Sequence, residues 1–185
     1  DDSIMGVSGA KSYLDGRPLS EKEPRMGIRG YVDATYLNRA AYGLETSQCE
    51  VLKTQILRSF PVLQCQGEDD TPFRLTLDET ALQGYKVRWY REVVCRGEYL
   101  YGERTACERR KERRNPMGYA MLYNHRLRYR EQSFGVRFDA ACRHIALSIC
   151  ARHPEYILKS YDRKLSLLAL LPGLLLALGD SHPFS

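Results

Sequence analysis

The residues best suited to binding chemistry lie in one arginine- and tyrosine-rich segment, which runs from Cys107 to Arg130. Residues 96–130 carry ten basic and four acidic side chains, so this region has a charge of +6 in a chain whose net charge is +5. Arginine outnumbers lysine in the chain by 21 to 7. Its planar guanidinium suits phosphate, sulfate and carboxylate groups better than lysine does. The segment therefore predicts a surface that binds an anionic partner.

The second half of this segment alternates in a way that predicts a β-strand over residues 119–130. Arg126, Arg128 and Arg130 would then lie on one face at intervals of about 7 Å, close to the phosphate spacing of an extended nucleic acid strand. Tyrosines would lie on the opposite face, where aromatic rings can stack on bases or sugars. A helix is the competing assignment and would scatter the arginines. The predicted binding residues are Arg109, Arg110, Lys111, Arg113, Arg114, Tyr123, Arg126, Arg128, Tyr129 and Arg130.

The basic run at 109–114 has three interpretations. Such a run is by default a solvated loop. It can also capture an anionic partner with salt-dependent affinity, whether nucleic acid, a sulfated glycan or an acidic protein face. Finally, its dibasic pairs resemble a proteolytic processing site, which loop tips favour.

Six cysteines predict disulfide bonds, with at least two pairs expected. An even count permits full pairing but does not choose among the 15 possible connectivities. Cys95 and Cys107 flank a short glycine-containing segment and are candidates for one bridge. Zinc is the weaker alternative, through Cys142, His144, Cys150 and His153. The disulfide candidates are Cys49, Cys65, Cys95, Cys107, Cys142 and Cys150.

The sequence contains no complete catalytic motif, so we predict that the protein is not an enzyme and requires no cofactor. His125, inside the tyrosine- and arginine-rich segment, is the best single candidate for acid–base chemistry. A histidine in such a setting is more often a satisfied structural residue.

The elements that would position these residues indicate an α+β fold. We predict an extended or disordered tail at 1–32 and a single compact domain at 33–185. Residues 1–32 lack helical or strand periodicity. The domain would hold a small antiparallel sheet from the middle of the chain, including residues 73–77 and 86–95, and helices at 47–59 and 138–171. Ser47 and Glu50 form a capping box for the first helix. Asp33 would cap a shorter helix that ends at Gly43.

The segment 165–178 is strongly apolar but too short to cross a bilayer, which takes about 20 residues. We predict a buried hairpin or a pair of helices packed on the core here, without a transmembrane span. The alternative is contact with a second copy of the chain or with a membrane surface.

Together these features predict a non-enzymatic binding or signalling module that is processed, disulfide-bonded and extracellular. It would engage a protein receptor or an anionic partner through residues 109–130. The alternative is a basic structural component of a nucleoprotein or other large assembly, viral or organellar, inside the cell.

Overall fold

The computed structural model describes residues 1–19, 25, 30–44, 48–60, 64–68, 71–98, 110–130 and 132–180. These residues contain helices and a four-stranded mixed sheet, so the predicted α+β class is confirmed. Contacts divide the chain into two compact units. The first comprises Asp1–Pro61 and Thr76–Tyr101, and the second comprises Val62–Leu75 and Gly102–Ser185.

The first unit contains the sheet, whose spatial order is β2-β4-β1-β3. Strand β1 runs parallel to β4 and antiparallel to β3, while β2 and β4 are antiparallel. The predicted antiparallel sheet from the middle of the chain is therefore corrected to a mixed sheet that includes the N-terminal strand. The strands are β1 (Ile4–Tyr13), β2 (Tyr31–Ala34), β3 (Gln48–Leu52) and β4 (Lys86–Gly97).

Strand β1 corrects the prediction of an N-terminal tail for residues 4–13, which lie between two other strands. Its small residues hide it from a hydrophobic-pattern search. A Cβ at Gly6 would lie 2.4 Å from the Val51 carbonyl oxygen, and one at Gly9 would lie 2.5 Å from a Val94 methyl carbon. Glycine thus permits close packing at positions where large apolar side chains would have revealed the strand. Residues 20–24 and 26–29 lie outside the described residues.

The predicted helix over 47–59 was wrong in its first half, which forms β3. Only α1 (Thr54–Arg58) is helical. Pairing with β1 overrides the helical spacing of the apolar residues, since Val51 lies opposite Val7 in the ladder. Glu50, the expected capping residue, instead forms an ion pair with Arg39 at 3.7 Å. Ser47 lies outside the described residues.

Strand β4 confirms the strand predicted over 86–95, but its alternation is interrupted. Val87 and Trp89 are fully buried, whereas Val93 is 46% exposed. The register shifts between the pairs Ser8–Trp89 and Ala10–Val93. A bulge of this kind redirects the side chains that follow it. Residues 74–77, predicted as a strand, belong to α2 (Arg74–Leu82).

Asp33 does not cap a helix. It lies on β2, and its carboxylate accepts two hydrogen bonds of 2.8 Å from the Arg88 guanidinium on β4. The predicted helix after it is reduced to a 3-10 turn, Arg39–Tyr42, which ends at Gly43 as expected. Gly43 has φ of 73°, a conformation that glycine adopts without strain. The core beneath this sheet comprises Met5, Ala34, Tyr36, Leu44, Leu77, Ala81, Val87 and Trp89.

The second unit is helical. Helix α5 begins at Phe134, where the Ser133 hydroxyl accepts from the Val136 N–H, and α6 begins after Asp162, whose carboxylate accepts from the Leu165 N–H. The helical character predicted for 138–171 is confirmed, although breaks separate its parts. The elements are α3 (110–114), α4 (Pro116–Arg126), α5 (Phe134–Cys150), a 3-10 helix (Pro154–Lys159), α6 (Arg163–Leu168) and α7 (Leu170–Asp180).

The strand predicted over 119–130 was wrong, because residues 116–126 form α4. Tyr119, Leu122 and Tyr123 recur at helical spacing and are all buried in the core of this unit. The burial of this apolar stripe therefore favours a helix more strongly than the two-residue alternation favours a strand. No helix among the described residues is both long enough and apolar enough to cross a bilayer.

Candidate anion-binding groove

The three arginines predicted to form a row diverge at the end of α4. The Arg126 guanidinium lies over the Tyr123 ring, 5.2 Å from its centroid. Arg128 and Arg130 follow the helix and are exposed. A helix end thus sends the arginines in different directions, and only Arg128 and Arg130 reach the same depression in the surface.

Arg128 is held by a buried histidine. Its Nη1 lies 2.9 Å from Nε2 of His125, and Nδ1 of His125 lies 2.8 Å from the Tyr129 hydroxyl. Because a guanidinium can only donate, Nε2 accepts and the proton of the neutral ring is on Nδ1, which donates to Tyr129. The Arg128 guanidinium also lies over the Tyr161 ring, 5.0 Å from its centroid. His125 and Tyr161 therefore fix the position of the Arg128 guanidinium at the wall of this depression.

Arg128 and Arg130 line an open groove together with Arg163 and Lys164 from the start of α6. We call this depression the basic groove. Its volume is about 520 Å³, within the range of about 300–1,000 Å³ found for small-molecule sites. The lining residues are Leu127, Arg128, Arg130, Ser160, Tyr161, Asp162, Arg163 and Lys164.

Asp162 is the acidic residue among the described lining residues, and its charge is already compensated. One carboxylate oxygen accepts from the Arg137 guanidinium, and the other accepts from the Leu165 N–H at 3.0 Å. Among the described residues, Arg130, Arg163 and Lys164 form no ion pair with a carboxylate. The basic groove therefore carries an excess of positive charge.

The loop that carries Tyr161 is fixed to α4 by a buried asparagine. Oδ1 of Asn124 accepts from the Tyr161 N–H at 3.0 Å, and its Nδ2 donates to the Lys159 carbonyl at 3.2 Å. The Ser160 hydroxyl lies 2.7 Å from that of Ser166. These bonds hold one wall of the basic groove in place, which lowers the entropic cost of binding.

Residues 110–114 of the basic run are helical (α3), and the side chain of Glu112 points into the fold. Glu112 accepts from the Tyr123 hydroxyl at 2.6 Å and from Arg143 Nη1 at 3.3 Å. Burial, with the bond to Glu112 as a smaller cause, raises the pKa of Tyr123 above its ordinary value. The exposed side chains are those of Arg110, Lys111, Arg113 and Arg114. Arg109 lies outside the described residues.

The tyrosines chosen for stacking do not reach the surface. Tyr123 and Tyr129 are each 7% exposed, so their rings pack in the fold. Tyr161, which the sequence prediction did not include, is 59% exposed beside the basic groove. Tyr161 is therefore the aromatic ring available to a ligand there.

Arg163 and Lys164 were also missed. They come directly after the helix cap Asp162, so a capping residue followed by two basic residues was a local signal of their exposure. Their proximity to Arg128 and Arg130, more than 30 residues earlier, depends on the tertiary fold.

The cysteines do not form a recognisable site in the described part of the chain. The structure joins no two of the described cysteines in a disulfide, and Cys107 lies outside the described residues. Disulfide pairing stays a prediction. Burial raises the pKa of the Cys142 thiol.

The weaker zinc alternative also gains no support from the geometry. The described residues contain no group of three or more metal-ligating side chains placed to hold an ion. His144, one of the four candidate ligands, is fully buried and donates from Nδ1 to the Ala120 carbonyl at 3.1 Å.

Comparison of the chain with protein-family models, with curated proteins and with solved structures finds no match.

Proposed function

We propose that this protein is a non-enzymatic binding module that holds a compact anionic group, such as a phosphate or sulfate ester, in the basic groove. The observation that carries the proposal is the imbalance of charge there. Among the described residues, four cationic side chains and the carboxylate of Asp162 line the groove, and that carboxylate is engaged by Arg137. Arginine and lysine donors form strong charge-assisted bonds to such anions.

The arrangement supports a compact ligand better than a long strand. Arg128 is fixed by His125 and Tyr161, while Arg130, Arg163 and Lys164 surround the same space of about 520 Å³. A fixed guanidinium at one side lowers the cost of ordering on binding. The exposed ring of Tyr161 offers a face for a sugar or another ring attached to the anion.

The test uses inositol hexakisphosphate as a soluble probe and isothermal titration calorimetry. The groove variant is Arg130→Gln, Arg163→Gln and Lys164→Gln together, which spares Arg128 because that residue also braces the fold. The matched control is Arg110→Gln, Lys111→Gln and Arg114→Gln, which removes the same charge from α3.

We expect the groove variant to weaken binding by about tenfold or more, because it removes direct charge-assisted bonds. The control should change affinity by less than about threefold, because screening weakens distant charges. Equal losses in both variants would show that only net charge matters. Absence of binding by the wild-type protein would overturn the proposal for this class of ligand.

The exposed face of α3 supports a second candidate, the basic component of a nucleoprotein assembly. Because Glu112 turns inward, the outer surface of α3 presents Arg110, Lys111, Arg113 and Arg114. Binding of single-stranded RNA across a salt series distinguishes this function. The log–log slope falls by about 0.7 for each phosphate of a single strand that a variant can no longer neutralise. A larger fall in slope for the control triple in α3 (Arg110→Gln, Lys111→Gln and Arg114→Gln) than for the groove variant would favour the assembly.

A further inference from the structure

The last two helices were predicted to be buried, but they expose an unusually apolar surface. Gly173 and Ala177 of α7 are buried, and Gly173 packs closely against Ile145 of α5. Most of the remaining surface of α7 is leucine, with Leu171 67% exposed and Leu175 61% exposed. We call the exposed leucines of α6 and α7 the leucine face: Leu167, Leu168, Leu170, Leu171, Leu174, Leu175, Leu176 and Leu178. Contiguous patches of this kind mark sites of contact with a protein or a membrane.

The leucine face adjoins the basic groove through Arg163. A second depression, of about 400 Å³, is lined by Ile157, Leu158, Arg163, Ser166, Leu167 and Leu170. Arg163 lines this apolar depression as well as the basic groove. An occupant of both depressions must therefore present a negative charge and an apolar body side by side.

We propose that the occupant is an anionic lipid bilayer, with the leucine face in the membrane interface and a lipid headgroup phosphate in the basic groove. This inference rests on the proposed function of the groove and names its ligand. An anionic phospholipid joins a phosphate directly to apolar chains, which is the combination that the two depressions require. Basic residues beside an inserted apolar helix strengthen binding to anionic lipids.

The length of α7 agrees with a position in the interface. Eleven residues extend about 16 Å as a helix, about half of the 30 Å hydrocarbon core of a bilayer. A helix with one narrow face packed on α5 can immerse its leucines without leaving the protein body.

Charge disfavours a second copy of the chain as the occupant. A two-fold interface uses the same patch on both subunits. Arg163 and Lys164 would then meet the same patch, whose described carboxylate, that of Asp162, is already engaged by Arg137, so a second copy offers these cations no complementary charge. An anionic membrane attracts the same residues.

The test combines vesicle co-sedimentation with calorimetry on the full chain. One set of vesicles contains phosphatidylcholine alone, and the other contains phosphatidylcholine mixed with phosphatidylserine. The leucine variant is Leu171→Gln, Leu175→Gln and Leu178→Gln, at exposed positions where glutamine keeps good helix propensity. The matched control replaces exposed apolar residues elsewhere: Leu14→Gln, Val51→Gln and Val136→Gln.

We expect the wild-type protein to bind the anionic vesicles, and the neutral vesicles at least about tenfold more weakly. The leucine variant should lose about tenfold or more in vesicle affinity, because inserted apolar area is removed. It should keep its affinity for inositol hexakisphosphate. The groove variant should lose both activities, and the control triple should lose neither.

Two results would overturn the lipid assignment while leaving the basic groove intact. One is groove-dependent binding of inositol hexakisphosphate without binding to anionic vesicles. The other is vesicle binding that the leucine variant retains. A dimer in sedimentation that the leucine variant converts to a monomer, with no preference for anionic vesicles, would assign the face to a second copy. Failure of the soluble probe to bind the groove would instead count against the proposed function.

Discussion

Replacing Glu68 should destabilise the helical unit, because this side chain caps α4 from a distant loop. Its Oε1 accepts from the Met117 N–H at 2.5 Å, and its Oε2 accepts from the Gly118 N–H at 2.8 Å. The local residue at the cap position, Asn115, makes no side-chain capping bond. A Cβ at Gly118 would lie 3.0 Å from Oε2 of Glu68, so the glycine gives the carboxylate its close approach.

The first four N–H positions of α4 are thereby all accounted for. Pro116 has no N–H to satisfy, and the Tyr119 N–H donates to the Asn115 carbonyl at 3.2 Å. The remaining two donors depend on Glu68. Loss of a cap costs about 0.5–2 kcal/mol, and a hydrogen bond to a charged group contributes about 1.5–3 kcal/mol. Because water can replace part of the loss at this half-buried site, we expect Glu68→Ala to cost about 2–3 kcal/mol.

Glu68→Gln should cost less, about 1–2 kcal/mol, because the amide keeps one acceptor but points an N–H group at the second donor. Urea unfolding followed by far-ultraviolet circular dichroism measures both variants. The matched control is Glu98→Ala, at an exposed position after β4. The chain has one tryptophan, Trp89, so its fluorescence follows the first unit separately. A free energy of unfolding for Glu68→Ala equal to that of the control would refute the capping argument.

Two further changes test the packing and the titration of the helical unit. Gly173→Ala should lower the free energy of unfolding of the helical unit by about 1–3 kcal/mol, because the new Cβ would lie 2.8 Å from Ile145. The matched control is Gly179→Ala on the same helix. Its Cβ would meet nothing within 4 Å, so this change should be neutral or stabilising. Equal effects in thermal unfolding would contradict the close contact. Burial lowers the pKa of His144 from its ordinary value of 6.5. As the pH falls, the ring in the unfolded chain is therefore protonated before the ring in the folded chain. The free energy of unfolding should consequently decrease as the pH falls below 6.5. A midpoint at or above 6.5 for the His144 ring in an NMR titration would contradict this account.

Sequence patterns were most reliable where a single element buries one clear stripe. Helix α5 follows its apolar period, and Val87 and Trp89 of β4 follow the strand alternation until the bulge. The patterns failed where pairing partners decide the outcome. Strand β3 has the apolar spacing of a helix but is paired with β1. Strand β1 in turn contains two glycines, Gly6 and Gly9, where the absence of a side chain permits close contact with the neighbouring strands. The periodicity of a single segment does not reveal contacts of this kind, because they depend on the neighbouring strands.

Two of the four cationic residues of the basic groove could be predicted from the sequence, and the other two depend on tertiary contacts. The excess of arginine pointed to Arg128 and Arg130, and both line the basic groove. The predicted strand would have placed them beside Arg126, whereas the groove places them beside Arg163 and Lys164. The position of Arg163 and Lys164 depends on the hydrogen bonds between Asn124 of α4 and the loop after the 3-10 helix. Composition alone does not predict these bonds.

The end of α4 explains why three arginines at alternate positions have three roles. Arg126 packs on the buried Tyr123 ring, Arg128 is held by His125, and Arg130 has no carboxylate partner among the described residues. A fixed cation lowers the ordering cost of binding, and a cation without a carboxylate partner can adjust to the ligand. His125, the acid–base candidate of the sequence, acts here by directing Arg128. A basic groove built in this way should distinguish anions by the placement of their charges and not by total charge alone.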